Sequence, residues 1–271
     1  METQTETRNL PDDLHKRIQE HLETLAQATD EARKSQEMLR YLDFVSMFHQ
    51  YSPCNIVLIQ FFKPDATLVA GFNKWKSLDR WVRAGEKAIP ILAPMLVKQE
   101  DEDGIERQRL VGFKTVHVFD ISQTSGEPLP HKPDWKSPQK NEELNLKLIH
   151  FAESQGISVT FKNLPGEVQG RSKGGAIEID LNAGTPVIFH EIAHEILHRV
   201  EENQLTRAER ELEAEAVAFC CGKHLGLEGL NSPNYLAFFG GTSEKIFTHM
   251  ERIRDTANRI ITAIAPNPFS S

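Results

Sequence analysis

The chain has 271 residues, 39% hydrophobic and 26% charged, which suits an ordinary soluble protein of one large domain or two modest ones, each with its own core. A formal net charge of -8 excludes a whole-molecule attraction to nucleic acid or to an anionic membrane, so any phosphate binding must be regional. Three cysteines, Cys54, Cys220 and Cys221, without C-x-x-C spacing, exclude a disulfide framework and a cysteine zinc knuckle and point to a reducing compartment. The opening METQTETRNLPDDLHKRIQEHLE lacks a basic segment followed by an apolar run, and no stretch reaches the roughly eighteen apolar residues of a membrane span. The expectation is a cytoplasmic protein with no membrane partner.

In chain order, residues 12 to 49 read as one or two helices, because Leu14, Ile18, Leu22 and Leu25 recur at helical spacing among charges. From 51 to 124 apolar runs alternate with turn signals, as in an α+β domain, with the acidic insert KQEDEDGIERQR (98 to 109) expected as a water-exposed hairpin loop. Four prolines in SGEPLPHKPDWKSPQKN mark a linker. The expected organisation is a first domain over 1–127 with a leading helix, a linker over 128–143 and a second domain over 144–271, α+β in class. The second domain opens with a helix, EELNLKLIHFAESQG, and a strand, ISVTF. A glycine-rich turn, the strand GAIEIDL and the helix TPVIFHEIAHEILHR follow.

That last helix carries the chemistry. Thr185 is expected to cap it and Pro186 suits a first helical position. A helix advances about 100° per residue, so His190 and His194 share a face and two imidazoles can grip one metal ion. His190, Glu191 and His194 form H-E-x-x-H, in which the glutamate is the general base of a zinc hydrolase. Burying these groups among Ile188, Ile192 and Leu197 is costly unless they pair or coordinate a metal.

A catalytic zinc needs a third protein ligand and an open position. In TRAERELEAEAVAFCCGKHLG, Glu211 and Glu215 lie one turn apart beside the apolar side of a helix, whereas Glu213 points roughly the other way. Glu211 is the expected ligand and Glu215 the expected acceptor orienting a ligand histidine, with the two roles open to exchange. His198 extends the His190–His194 face, but the longer three-histidine pattern is absent. The expected reaction is amide hydrolysis, with Glu191 moving the proton and Tyr235 donating to the oxyanion. The strand GAIEIDL is expected to hold an extended peptide substrate by edge pairing.

In the first domain, FNKWKSLDRWVRAGEKAIPIL interleaves Phe72, Trp75 and Trp81 with Lys74, Lys76, Arg80, Arg83 and Lys87 against only Asp79 and Glu86. Single-stranded nucleic acid needs such stacking faces and cations, although tryptophans at this spacing also fill cores. The blocks YSPCNIVLI, VAGFNKWKSLDRWVRAGEKAIPILAP and FKTVHVFDISQT resemble the amino-terminal module of ArdC-type antirestriction proteins, through an Asn, W-x-x-L with V-x-x-G-E-K, and V-F-D-x-x-Q. FHEIAHEILHR and ERELEAEAVAF are similar to the zincin-like domain of that family and to IrrE/ImmA-type metallopeptidases, and NYLAFFGG with ANRIITAI also fits the ArdC pattern.

The resemblance implies a domain binding single-stranded DNA without sequence preference, joined to a zinc-dependent peptidase-like domain in proteins that protect incoming DNA from restriction. It places the metal on His190, His194 and Glu211 or Glu215, and the base on Glu191. The chain departs from the pattern at Leu78-Asp79-Arg80, where a glycine is common. Two rival readings stand: a regulatory peptidase of IrrE/ImmA type whose first domain recognises a protein such as a repressor, and a zinc that only holds the fold.

Overall fold

The helical spacing near the start is realised as two helices, α1 (Leu10–Gln27) and α2 (Glu31–Phe48), in a computed structural model that describes residues 10–27, 31–100, 106–127, 141–200, 205–227, 230 and 242–265. Leu14, Ile18 and Leu22 are buried along one face of α1, and Met38, Tyr41, Leu42, Val45 and Phe48 along α2. Contacts divide the chain into two compact units, one of Met1–Glu23 with Cys54–Pro130, the other of Thr24–Pro53 with His131–Ser271. The linear boundary at 127 is therefore crossed by α2, which packs in the C-terminal unit. There the Tyr41 hydroxyl donates to the Met250 carbonyl (3.4 Å) and the Cys220 thiol to that of Leu42 (3.5 Å). Most of the expected linker lies outside the described residues.

In the N-terminal unit, β1 (Val69–Gly71), β4 (Glu106–Asp120) and β3 (Ile89–Glu100) form an antiparallel sheet in the order β1-β4-β3. Pairing of β3 with β4 runs from Ile89↔Val118 out to Glu100↔Glu106, with a register shift after Met95. The expected loop at 98–109 is thus mostly ribbon, since its backbone groups find partners across the hairpin; only 101–105 lie outside the described residues. Around the sheet lie α3 (Pro53–Phe62), α4 (Phe72–Ser77) and a small pair of β2 (Arg80–Val82) with β5 (Thr124–Gly126).

The side chains that carried the resemblance here are fold-makers. Asn55 on α3 donates to the Leu92 carbonyl and accepts from the Leu92 amide, both at 2.8 Å, completing β3 as a strand partner would. Asp120 accepts from the amides of Thr67 (2.8 Å), Leu68 (3.0 Å) and Ser122 (2.9 Å). Gln123 accepts from the Asp120 amide (2.8 Å) and donates to the Lys87 carbonyl (2.7 Å). Asp79, in the Leu78-Asp79-Arg80 stretch where the chain departs from the expected pattern, has φ 53, a left-handed conformation that Asp tolerates better than most residues.

In the C-terminal unit, β6 (Ser158–Lys162) runs parallel to β8 (Ala176–Asp180), and β7 (Gly170–Ser172) pairs antiparallel with β8, in the order β6-β8-β7. Ile177 and Ile179 alternate inward from β8 toward α5 (Glu142–Ser154), α6 (Thr185–His198), α7 (Arg207–His224) and α8 (Ser243–Ile264). Leu144, Leu148, Ile188, Phe189, Ile192, Val217, Ile253 and Ile260 complete that core. Both chain regions are mixed α+β. Among the described residues no helix is long and apolar enough to cross a membrane.

Candidate metal centre

Helix α6 starts at the residue expected to cap it, and its N-cap lies one residue earlier. Gly184 takes the N-cap without a side-chain bond, and Thr185 is already helical. The Thr185 hydroxyl instead donates to Asn145 Oδ1 (2.7 Å) and accepts from the Asn141 amide (3.2 Å), tying α6 to the start of α5. The helix then presents His190 and His194 with their Nε2 atoms 3.0 Å apart. Glu211, one turn into α7, brings Oε2 to 3.5 Å from His190 Nε2 and 3.4 Å from His194 Nε2. A capping box of Thr206 and Glu209 fixes the start of α7 and hence that carboxylate.

The donor set fits a divalent cation. The donors around a tetrahedral ion with bonds of about 2.0–2.1 Å lie about 3.3 Å from one another. His190, His194 and Glu211 form the one such convergent group of histidine, cysteine and carboxylate donors among the described residues. Burial pushes the His190 imidazole below its ordinary range, and burial followed by the neighbouring His190 pushes His194 down to about 4. Both rings therefore keep a lone pair at neutral pH.

Glu191 lies beside this set. Burial, and then the charge of Glu211, push its carboxyl up to about 7 in the metal-free chain. Gly170 on β7 makes room for it: a Cβ there would fall 2.6 Å from Glu191 Oε1 and 2.8 Å from Val187 Cγ1. Strand β7 is held against α6 by Glu195, which accepts from the Ser172 hydroxyl (2.5 Å) and from the amides of Lys173 (3.0 Å), Gly174 (2.8 Å) and Gly175 (2.5 Å). Gly174 and Gly175 have φ 72 and 102, which lets successive amides turn onto one carboxylate.

Three expectations are corrected. The strand GAIEIDL is not a free edge: as β8 it is paired on one side with β6 and on the other with β7, which are the edge strands of this sheet. Glu213 does point away from Glu211, but it is buried at 0% exposure, because α8 faces it with His249 and Arg252. Its carboxylate accepts from His198 Nε2 (2.8 Å), His249 Nδ1 (2.7 Å), Arg252 Nε (2.8 Å) and Arg252 Nη2 (3.0 Å). Burial opposes its ionisation, but bonds from His198, His249 and Arg252 together outweigh that and hold the carboxyl far below the usual range. Glu215, the expected acceptor, is partly exposed and its charge acts on His190. His198 is outside the convergent donor group, with its Nδ1 3.2 Å from His194 Nδ1. Tyr235 lies outside the described residues.

The third correction concerns the N-terminal unit. Trp75 is at 0% exposure and its indole donates to the Phe119 carbonyl (2.8 Å), so it fills the core instead of offering a stacking face. Arg80 donates to Thr124 Oγ1 (2.9 Å) and to the carbonyls of Gly126 (3.3 Å) and Glu127 (2.5 Å). Arg83 is engaged with Glu86 and with the carbonyls of Ser122 and Thr124. Both arginines thus hold β5 in place. Within the 72–92 segment, exposed aromatic surface is supplied by Phe72 (53%) and Trp81 (52%), near Lys76 and Lys87 in sequence, both exposed, and Lys74, partly so.

A mixed α+β protein of two units, one of them presenting two histidines and a carboxylate around a buried glutamate, is the class this geometry defines. Residues 8–119 match the family described as the N-terminal domain of anti-restriction factor ArdC, which bears out the resemblance of the first module over that span. A protein of Bacillus anthracis is 24% identical over 282 residues, covering 84% of this chain and 48% of its own length; the chain spans about half of that relative. The antirestriction ArdC protein from the R388 plasmid is similar in its metal-free crystal structure, with TM-score 0.46 at 18% identity over 79% of this chain and 85% of that one. Its Mn(II)-bound structure gives TM-score 0.45 at 18% identity over 84% and 98%.

Proposed function

We propose that the C-terminal unit is a zinc-dependent peptidase and that the N-terminal unit binds single-stranded DNA, in a protein with an antirestriction role. The observation that carries the first part is the convergence of His190, His194 and Glu211 beside the buried Glu191. His190 and His194 on α6 and Glu211 on α7 would hold the cation; two imidazoles and one carboxylate suit zinc. When bound, such a cation supplies a Lewis acid and a water of lowered pKa. Glu191 accepts the proton of the attacking water and returns it to the leaving amine. Gly170 keeps that carboxylate beside an edge strand, β7, whose short run of backbone suits an extended peptide.

The test is metal content together with cleavage. The purified chain should carry about one zinc per protein and cleave an unstructured peptide, lose cleavage on chelation and regain it when zinc is returned. A chain that takes up no zinc from metal-replete buffer removes the reading.

The antirestriction role draws on the family matched by residues 8–119, and the DNA contact on the exposed Trp81 and Phe72 with their neighbouring lysines. Stacking on an aromatic ring contributes about 1–3 kcal/mol per base. Trp81→Ala should therefore weaken binding of a single-stranded oligonucleotide by roughly 5- to 150-fold in a fluorescence anisotropy titration, and Lys76→Ala with Lys87→Ala should flatten its salt dependence. Wild-type affinity in Trp81→Ala would move the interface to another face.

A further inference from the structure

We infer that His198 is a positioning residue for His194, with Glu213 setting the orientation of His198 in turn. This inference rests on the reading of His190, His194 and Glu211 as a metal centre. The two side chains are shut off from solvent, at 5% exposure for His198 and 0% for Glu213. A carboxylate can only accept, so the His198 nitrogen 2.8 Å from Glu213 is an N–H. Arg252 donates to Glu213 through two bonds and His249 through a third, so the carboxylate is fixed as the acceptor for that N–H. The other ring nitrogen of His198, Nδ1, faces His194 Nδ1 at 3.2 Å, where one nitrogen donates and the other accepts. His194 turns Nε2 toward His190 and Glu211, and a histidine that offers that lone pair to a cation carries its proton on Nδ1, so His194 donates and His198 accepts.

The chain of bonds therefore supports the tautomer of His194 that can bind a cation between α6 and α7. It also explains why His198 is no ligand: Glu213 takes one of its nitrogens and His194 the other. Arg252 donates as well to the Leu197 carbonyl (3.1 Å), so α8 fixes the last turn of α6 at the same point. Outer partners of metal-binding histidines typically alter metal affinity by 10- to 100-fold when removed.

Two variants separate the two ends of His198. His198→Asn places an amide oxygen near the position of Nδ1 and keeps the acceptor for His194, while its short side chain loses Glu213. His198→Gln reaches Glu213 and offers no acceptor at Nδ1. Zinc affinity, measured on the full chain by competition with a chromophoric chelator, should fall about 10- to 100-fold in His198→Gln and be largely kept in His198→Asn. Metal-free thermal midpoints should run the other way, lower for His198→Asn. The cobalt-substituted absorption envelope should match wild type in both, since no ligand is lost.

Equal zinc affinities in wild type and His198→Gln overturn the inference, as does a cobalt spectrum showing a lost ligand, which would make His198 part of the centre. Failure of the wild type itself to take up zinc or cobalt removes the metal-centre reading and this inference with it. Weak binding confined to His198→Gln supports both.

Discussion

Glu191→Gln should keep zinc bound and lose peptide cleavage by about 10²- to 10⁴-fold, the usual contribution of a placed general acid–base. Glutamine matches the carboxylate in size, so the space left by Gly170 and Val187 is filled as before and the donor atoms of His190, His194 and Glu211 are untouched. What disappears is the ability to take a proton and give it back. A companion effect belongs to the metal-free chain. Burial raises the Glu191 carboxyl to about 7, above its unfolded value near 4.5, so the folded state holds this proton more tightly than the unfolded state. Stability from this group is then fully present below pH 4.5 and is lost as pH rises through 7. Chelated wild type should lose more stability than Glu191→Gln over that window, measured by urea denaturation at a series of pH values. Cleavage unchanged in Glu191→Gln would take the residue out of the reaction.

The parts of this site that could be seen in the sequence are those governed by the period of one helix. His190, Glu191 and His194 need only 3.6 residues per turn, and the apolar side of α7 narrows the third donor to Glu211 or Glu215. The parts that stayed hidden depend on chain segments far away. Glu213 sits in a run of glutamates that reads as a solvated face; its partners His249 and Arg252 come from α8, 36 and 39 residues further on. Gly170 looks like any turn glycine until β7 is laid beside α6. An alternation such as Ile177 and Ile179 reports that a strand has one buried face, but not how many neighbours flank it, so β8 passed for an edge. Trp75 and Trp81 are equivalent as composition; only the indole bond to Phe119 decides which is core.

The same reasoning recasts the motif of the first module. Asn55, Asp120 and Gln123 carried the resemblance, and all three complete backbone hydrogen bonds between segments that no regular ladder joins. They specify the scaffold. On the DNA-binding reading proposed above, the surface that would meet a ligand is left to residues of less distinctive spacing, the exposed Phe72 and Trp81 among them.

Glu213→Ala should lower metal-free stability by about 3–5 kcal/mol, a large part of the 5–15 kcal/mol of a typical domain. The mutation deletes an acceptor that is wholly buried and leaves Arg252, His249 and His198 facing one another with no counter-charge. The loss belongs to the unpaired arginine more than to the pair, so replacing both ends by apolar groups, Glu213→Met with Arg252→Met, should recover a substantial part of it. Glu211→Ala should show the opposite pattern: its carboxylate is partly exposed, at 43%, and faces two imidazoles, so metal affinity falls while chelated stability barely changes. Denaturant melts in excess chelator, set beside zinc titrations of the same proteins, separate the two glutamates. Stability kept in Glu213→Ala, or a double variant no better than the single one, would mean that the carboxylate and Arg252 do not act as a buried pair.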